Sequence, residues 1–169
     1  KSDLGGVLLN LDDAEAVRAA FASLAASAAE HRVPFDGVLI QPMVTGQNGG
    51  VETMVGVVHD RLFGPIIGFG LGGTDVEVLG DMHFRLAPLV GRDVYELIAE
   101  TRASRLLAAH RGKPAADIDA LAELLSRISA LAQAVPEILE LDLNPVIVKS
   151  AGHGCHIVDA RIRVFPTEG

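Results

Sequence analysis

Residues 139–164 constrain this chain more than any other stretch. Leu139, Leu141 and Leu143 alternate with Glu140, Asp142 and Asn144. In an extended strand such alternation sends the leucines to one face and the polar groups to the other. A second strand-like run, 155–164, follows Ala151-Gly152-His153-Gly154, and the two predict a hairpin. A four-residue turn pairs Lys149 with Gly154, which sets Asn144 opposite Asp159 and Asp142 opposite Arg161. Directly opposed side chains lie ~5 Å apart at Cβ, so two carboxylates and a carboxamide converge on one patch. Hard oxygen donors of this kind suit Mg²⁺, which takes one or two carboxylates and fills its shell with phosphate oxygens and water. The same pattern also describes the ordinary solvent face of a hairpin, with Asp142 and Arg161 as a cross-strand ion pair. Asn144-Pro145 reads equally as turn chemistry. The residues alone leave both readings open.

Elsewhere the hydrophobic period separates helices from strands. Gly5-Gly6 leads into a short apolar run at 7–11, read as a strand. Asp12 stands three residues before Glu15, the spacing of a capping box. Val17, Phe21, Leu24 and Ala28 then recur at helical spacing, which predicts a helix over 13–30 that Pro34 cannot continue. Val38-Leu39-Ile40-Gln41 reads as a buried strand, Gln47-Asn48-Gly49-Gly50 as a turn, and 51–60 and 65–69 as further strands. Asp93 and Glu96 open a predicted helix to about residue 110, stopped by Arg111-Gly112-Lys113-Pro114. A second helix spans 117–133 and closes at Pro136. Strands grouped with helices, without strict alternation, indicate an α+β fold: one mainly antiparallel sheet from 37–70 and 139–164, packed on the two later helices.

Charge and composition narrow the partners. Fourteen Lys and Arg against 22 Asp and Glu give a net charge of -8, which argues against a nucleic-acid partner. No apolar run approaches the ~18 residues of a membrane span. Cys155 is the only cysteine, so no internal disulfide forms, in keeping with a reducing, cytoplasmic setting. Gly68, Gly70 and Gly73 match GxGxxG in form. The dinucleotide motif needs a helix directly after the third glycine, and Thr74–Gly80 is short and glycine-stopped. The glycines therefore serve tight turns or close approach of another chain. Arg85 is either a phosphate contact or a surface arginine. The six histidines show no zinc spacing, and Cys155 reads as a small core residue.

The order of short motifs along the chain resembles the ATP-grasp domain of ADP-forming acyl-CoA synthetases (acetate–CoA ligases). These motifs are Lys1-Ser2-Asp3-Leu4-Gly5-Gly6-Val7, Val38-Leu39-Ile40-Gln41-Pro42-Met43-Val44, Phe63-Gly64-Pro65, Gly70-Leu71-Gly72-Gly73, Glu140-Leu141-Asp142-Leu143-Asn144-Pro145 and Val158-Asp159-Ala160-Arg161. Succinyl-CoA synthetase β-subunits are more distant relatives, and similar domains occur fused to GNAT acetyltransferases. The resemblance implies a domain that binds ATP or ADP with Mg²⁺ and exchanges phosphate with a phosphohistidine on a partner domain. It implies partners that bind CoA and carry the histidine, with a regulatory, GNAT-fused module as the alternative. It implies an incomplete first lobe over 1–34 and a second lobe over 35–169.

Carried over by motif, Lys1 and Ser2 belong to a phosphate-covering loop, Gln41 and Val44 to the adenine hinge, and Glu52 to the ribose. Asn144 and Asp159 match the Mg²⁺ ligands, with Asp142 an adjacent acid. Arg161 and Arg85 are the candidate catalytic residues. The family's phosphate-binding lysine belongs upstream of Lys1, as does a histidine that directly precedes the Lys-Ser pair. The chain is thus expected to be a piece of a longer protein.

Overall fold

The computed structural model describes residues 5–44, 50–73, 80–109, 112 and 114–165. The chain divides into two compact units, 1–43 and 44–169.

In the first unit, helix α1 runs Ala14–Glu30. Its cap is Asp13, not the Asp12 of the capping-box spacing: Asp13 Oδ1 accepts from Ala16 N at 2.8 Å. Phe21 of the helix and Phe35 beyond it pack edge to face with centroids 5.5 Å apart. The expected strands at 7–11 and 38–41 do not form among the described residues. Leu39 and Ile40, expected to be buried, are 84% and 69% exposed. An apolar, β-branched run becomes a strand only against a neighbouring edge, and no strand pairs with either segment here.

The second unit is built on a six-stranded sheet. Its strands are β1 (Val51–Asp60), β2 (Gly64–Leu71), β3 (His83–Leu86), β4 (Ile138–Val148), β5 (Cys155–Ile157) and β6 (Ala160–Val164). The order is β3-β2-β1-β4-β5, with β6 also on β4, and every pairing is antiparallel. β1 and β2 are joined by a tight turn in which Asp60 Oδ1 accepts from Leu62 N and Phe63 N. Asp60's carboxyl is held below the usual range by these two backbone donors, Phe63 first.

Three helices flank the sheet: α2 (Gly91–Glu100), α3 (Ala103–Leu107) and α4 (Ile118–Ala134). Among the described residues they pack on one face. Val55 and Val57 of β1, Ile67 and Phe69 of β2, and Leu141, Leu143, Val146 and Val148 of β4 bury against Val94, Leu97 and Ile98 of α2 and Leu121, Leu125 and Ile128 of α4. Burying each large apolar side chain contributes about 1.5–3 kcal/mol, so this layer is the main support of the sheet.

The helix expected to run unbroken from 93 to about 110 is split at Thr101. Buried Asp81 accepts from Arg102 N at 2.7 Å and from Ala103 N at 3.1 Å. Those are donors a continuous helix would give to the carbonyls four residues back. β3 was not anticipated either. Its His-Phe-Arg-Leu run carries no clear period, and it is a strand because Ile66–Phe69 of β2 pair with it.

Candidate functional site

The other face of the sheet carries a groove of about 300 Å³. Strand alternation selects its walls. Met54, Gly56 and Val58 of β1 point into it, as do Ile66 and Gly68 of β2 and Glu140 and Asp142 of β4, while Met82 and Phe84 close one side. Gly68 gives Met82 and Phe84 room: a Cβ there would lie 2.9 Å from Met82 Cε and from Phe84 Cε1. A wall that is apolar on one side and acidic on the other suits a flat aromatic group joined to an anion carried by a cation.

The acidic wall is the hairpin foreseen from the sequence. Lys149 N donates to Gly154 O at 3.0 Å and Asn144 N to Asp159 O at 3.2 Å, and Asp142 pairs with Arg161 in register. One register runs unbroken from Val148–Cys155 to Glu140–Arg163. On its β1 side the same strand carries a bulge: Val55 pairs with Leu143 but Thr53 with Val146, so Asn144 and Pro145 together oppose Met54.

Three polar groups of this wall crowd one another. Arg161 Nε stands 3.7 Å from Asp159 Oδ2, and Asp159 Oδ1 accepts from Ala160 N. Asp142 Oδ1 is buried without a hydrogen-bond partner. Burial, above all, pushes the Asp142 carboxyl up; Arg161 pulls it down and Asp159 adds to the rise. An acceptor-only oxygen buried and unsatisfied is costly, and a hard cation is the ligand that would satisfy it. Two carboxylates and a carboxamide fit Mg²⁺. Among the described residues no group of three His, Cys, Asp or Glu side chains is placed to hold a metal.

A glycine pair joins this wall to Glu52. Gly72 N donates to Glu52 O at 3.0 Å, and a Cβ on Gly72 would lie 2.4 Å from Thr53 O. Gly73 N donates to Asn144 Oδ1 at 3.1 Å. The glycines thus do permit close backbone approach, as the sequence implied. That Gly72 and Gly73 lie against Glu52 and Asn144 was not foreseen. The signal available was the adjacency of two glycines at a strand's end.

Among the other candidates, Arg85 is not brought to the groove. Paired with core residue Ile67, it faces the helices, where Nη2 reaches Glu100 Oε1 at 2.5 Å. Gln41 and Val44 lie in irregular backbone, Gln41 in the first unit and Val44 in the second. Lys1 and Ser2 lie outside the described residues. Cys155 is half-buried against the core, its Sγ 3.7 Å from Ala120 O, and burial pushes its thiol up.

Comparison with known proteins identifies the family of this fold. Residues 1–164 match the family described as ATP-grasp domain. The chain belongs to the ATP-grasp family. Within it, the chain matches the ADP-forming acetate–CoA ligases. It is 47% identical to acetate–CoA ligase (ADP-forming) I of Archaeoglobus fulgidus over 96% of this chain and 23% of that protein. It is 39% identical to the β subunit of the Pyrococcus furiosus isoform II over 96% of this chain and 69% of the subunit.

A solved structure of acetyl-coenzyme A synthetase 1 from Ca. Korarchaeum cryptofilum superposes with a TM-score of 0.80 at 37% identity, covering 98% of this chain and 70% of that one. That protein was in complex with coenzyme A and Mg-AMPPCP, its phosphohistidine segment pointing towards the nucleotide binding site. The chain therefore spans about a quarter of the single-chain ligase and about two thirds of the separate β subunit. The ATP-grasp domain's mainly antiparallel sheet is as expected from the sequence. The alternative of a regulatory module fused to an acetyltransferase finds no support in these relatives, which are ligases.

Proposed function

We propose that this ATP-grasp domain is the nucleotide-handling part of an ADP-forming acyl-CoA ligase. It exchanges the terminal phosphate of ATP with a histidine on a partner domain that also serves CoA. The observation that carries this is the meeting of Asp142, Asn144 and Asp159 on one hairpin, beside an apolar groove, with Asp142 Oδ1 buried and unpartnered. The relative seen with Mg-AMPPCP supports the choice of ligand.

Asn144 and Asp159 would hold Mg²⁺, with Asp142 beside them. The ion, when bound, neutralises charge on the phosphates as the phosphoryl group moves. The protein's own contribution is placement. The groove walls Met54, Val58 and Phe84 take the base and exclude water from its faces. Glu52, an acceptor-only group, suits the two ribose hydroxyl donors. Arg161 offsets the crowded carboxylates and meets phosphate charge. In the transfer, the P–O bond to ADP breaks as a P–N bond to the partner imidazole forms; the reverse regenerates ATP.

On this reading residues 1–34 belong to a first lobe and 35–169 to the second, Gln41 and Val44 serve the adenine, and Lys1 and Ser2 serve the phosphates. Among the described residues no helix is long and apolar enough to cross a membrane, and the reading places the enzyme in the cytoplasm.

The direct test is Asp159→Asn in the full-length protein, assayed by Mg²⁺-dependent phosphorylation of the partner histidine. One of two neighbouring carboxylates loses its charge, so folding should hold while phosphotransfer falls by about 100-fold or more. Phosphotransfer at the wild-type rate would end the assignment.

A further inference from the structure

We propose that Gly73 is a positioning residue whose backbone amide turns the Asn144 carboxamide oxygen toward the cation. The inference rests on the reading of Asn144 as a Mg²⁺ ligand. Gly73 N donates to Asn144 Oδ1 at 3.1 Å across 71 residues of chain.

The contact does a specific chemical job. A carboxamide presents an acceptor oxygen at one end and two donor hydrogens at the other, and only the oxygen can ligate a cation. Two orientations related by a flip have nearly the same shape, so packing alone selects poorly between them. A backbone N–H selects strongly, because it bonds the oxygen and repels the amino end. It occupies one lone pair and leaves the second free.

The amide is itself held in direction. Gly72, one residue before, is pinned: its N–H bonds Glu52 O at 3.0 Å, and its Cα lies so close to Thr53 that a Cβ would meet Thr53 O at 2.4 Å. Gly73 has φ +92°, a conformation that L side chains rarely adopt, and a Cβ there would lie 2.8 Å from Glu52 Oε2. Glycine at this position therefore serves two neighbours. Its N–H orients Asn144, and its missing side chain leaves the Glu52 carboxylate in place. Partners of metal ligands that fix ligand orientation typically change metal affinity by about 10–100-fold when altered.

The experiment compares ADP affinity by calorimetry with Mg²⁺ and with EDTA, in the full-length protein. Four variants are needed: Gly73→Ala, Asn144→Ala, Glu52→Ala and the Glu52→Ala/Gly73→Ala pair. Alanine at 73 should cut the Mg²⁺-dependent gain in ADP affinity about 10-fold or more. It should do so again in the Glu52→Ala background, where crowding of the carboxylate is gone and only the displaced amide remains. An equal loss in Mg²⁺ and in EDTA would mean general disturbance and would overturn the proposal.

Asn144→Ala separates the two levels of argument. If it removes the Mg²⁺ gain while Gly73→Ala does not, the metal reading stands and the role of Gly73 fails. If Asn144→Ala changes nothing, both fail. A second measurement needs no variant. Titrating Mg²⁺ into the ADP-bound wild-type protein should shift the Gly73 amide and Asn144 side-chain ¹⁵N–¹H resonances together, with one midpoint. A Gly73 amide that stays still while Asn144 moves would also overturn the proposal.

Discussion

The side chain of Glu52, proposed above to face the ribose, is one the fold needs little. It is exposed, and the residue's backbone carbonyl, not its carboxylate, ties β1 to Gly72. Glu52→Ala should therefore weaken ADP binding about 10-fold through lost ribose contacts while Tm stays within about 2 °C. Calorimetry and thermal unfolding read the two separately, and unchanged affinity would remove Glu52 from the nucleotide. The acids at 142 and 159 were legible in advance because strand alternation and a four-residue turn leave the side chains little choice. Arg85 was not. Whether it faces groove or helices depends on its pairing with Ile67, and the short strand β3 that makes this pairing has no period of its own to read. The bond between Gly73 and Asn144 was equally hidden, since it requires the spatial order β2-β1-β4.

At the scale of elements, Asp117 fastens a helix to the hairpin. It caps α4 through Oδ1 to Ala120 N at 3.1 Å, and Oδ2 accepts from Gly154 N at 2.8 Å in the turn between β4 and β5. These backbone donors, Gly154 first, hold its carboxyl below the usual range. A lowered folded-state value means that the charge stabilises the fold above the ordinary carboxylate range and that this contribution is lost as pH falls through the folded value. Asp117→Ala should then lower Tm at pH 7 by about 2–4 °C, and the gap to wild type should narrow as the medium is acidified through that range. A gap constant with pH would show that the charge is not what matters. Elements with long amphipathic periods, α4 above all, were legible from sequence. The segments 38–41 and 101–103 were not, because what decides them lies elsewhere. One lacks a strand edge beside it, and the other is broken by the distant carboxylate of Asp81.

For the second unit as a whole, the two faces of one sheet divide the work. Leu125 is fully buried in the helix-covered layer, so Leu125→Ala should cost about 2–5 kcal/mol of stability by leaving a cavity. At a temperature where the variant is still folded, its ADP affinity should match wild type. A large affinity loss in the folded variant would mean that the core layer and the groove are mechanically coupled.

The bulge at Asn144 and Pro145 has a further consequence, one of phase. Ahead of it β4 sends odd residues, Leu141 and Leu143, into the core; beyond it even residues, Val146 and Val148, take that place. The strand thus carries two reading frames joined at one extra residue, much as a zipper accommodates a doubled tooth. Removing that residue would bring both halves into a single frame with Val146 and Val148 still facing the core, but β5 and β6, which pair with β4 in one register across the bulge, would be left one residue out of step. Substitution around Asn144 tests chemistry, whereas a change of length there tests how β5 and β6 are held in step with β4.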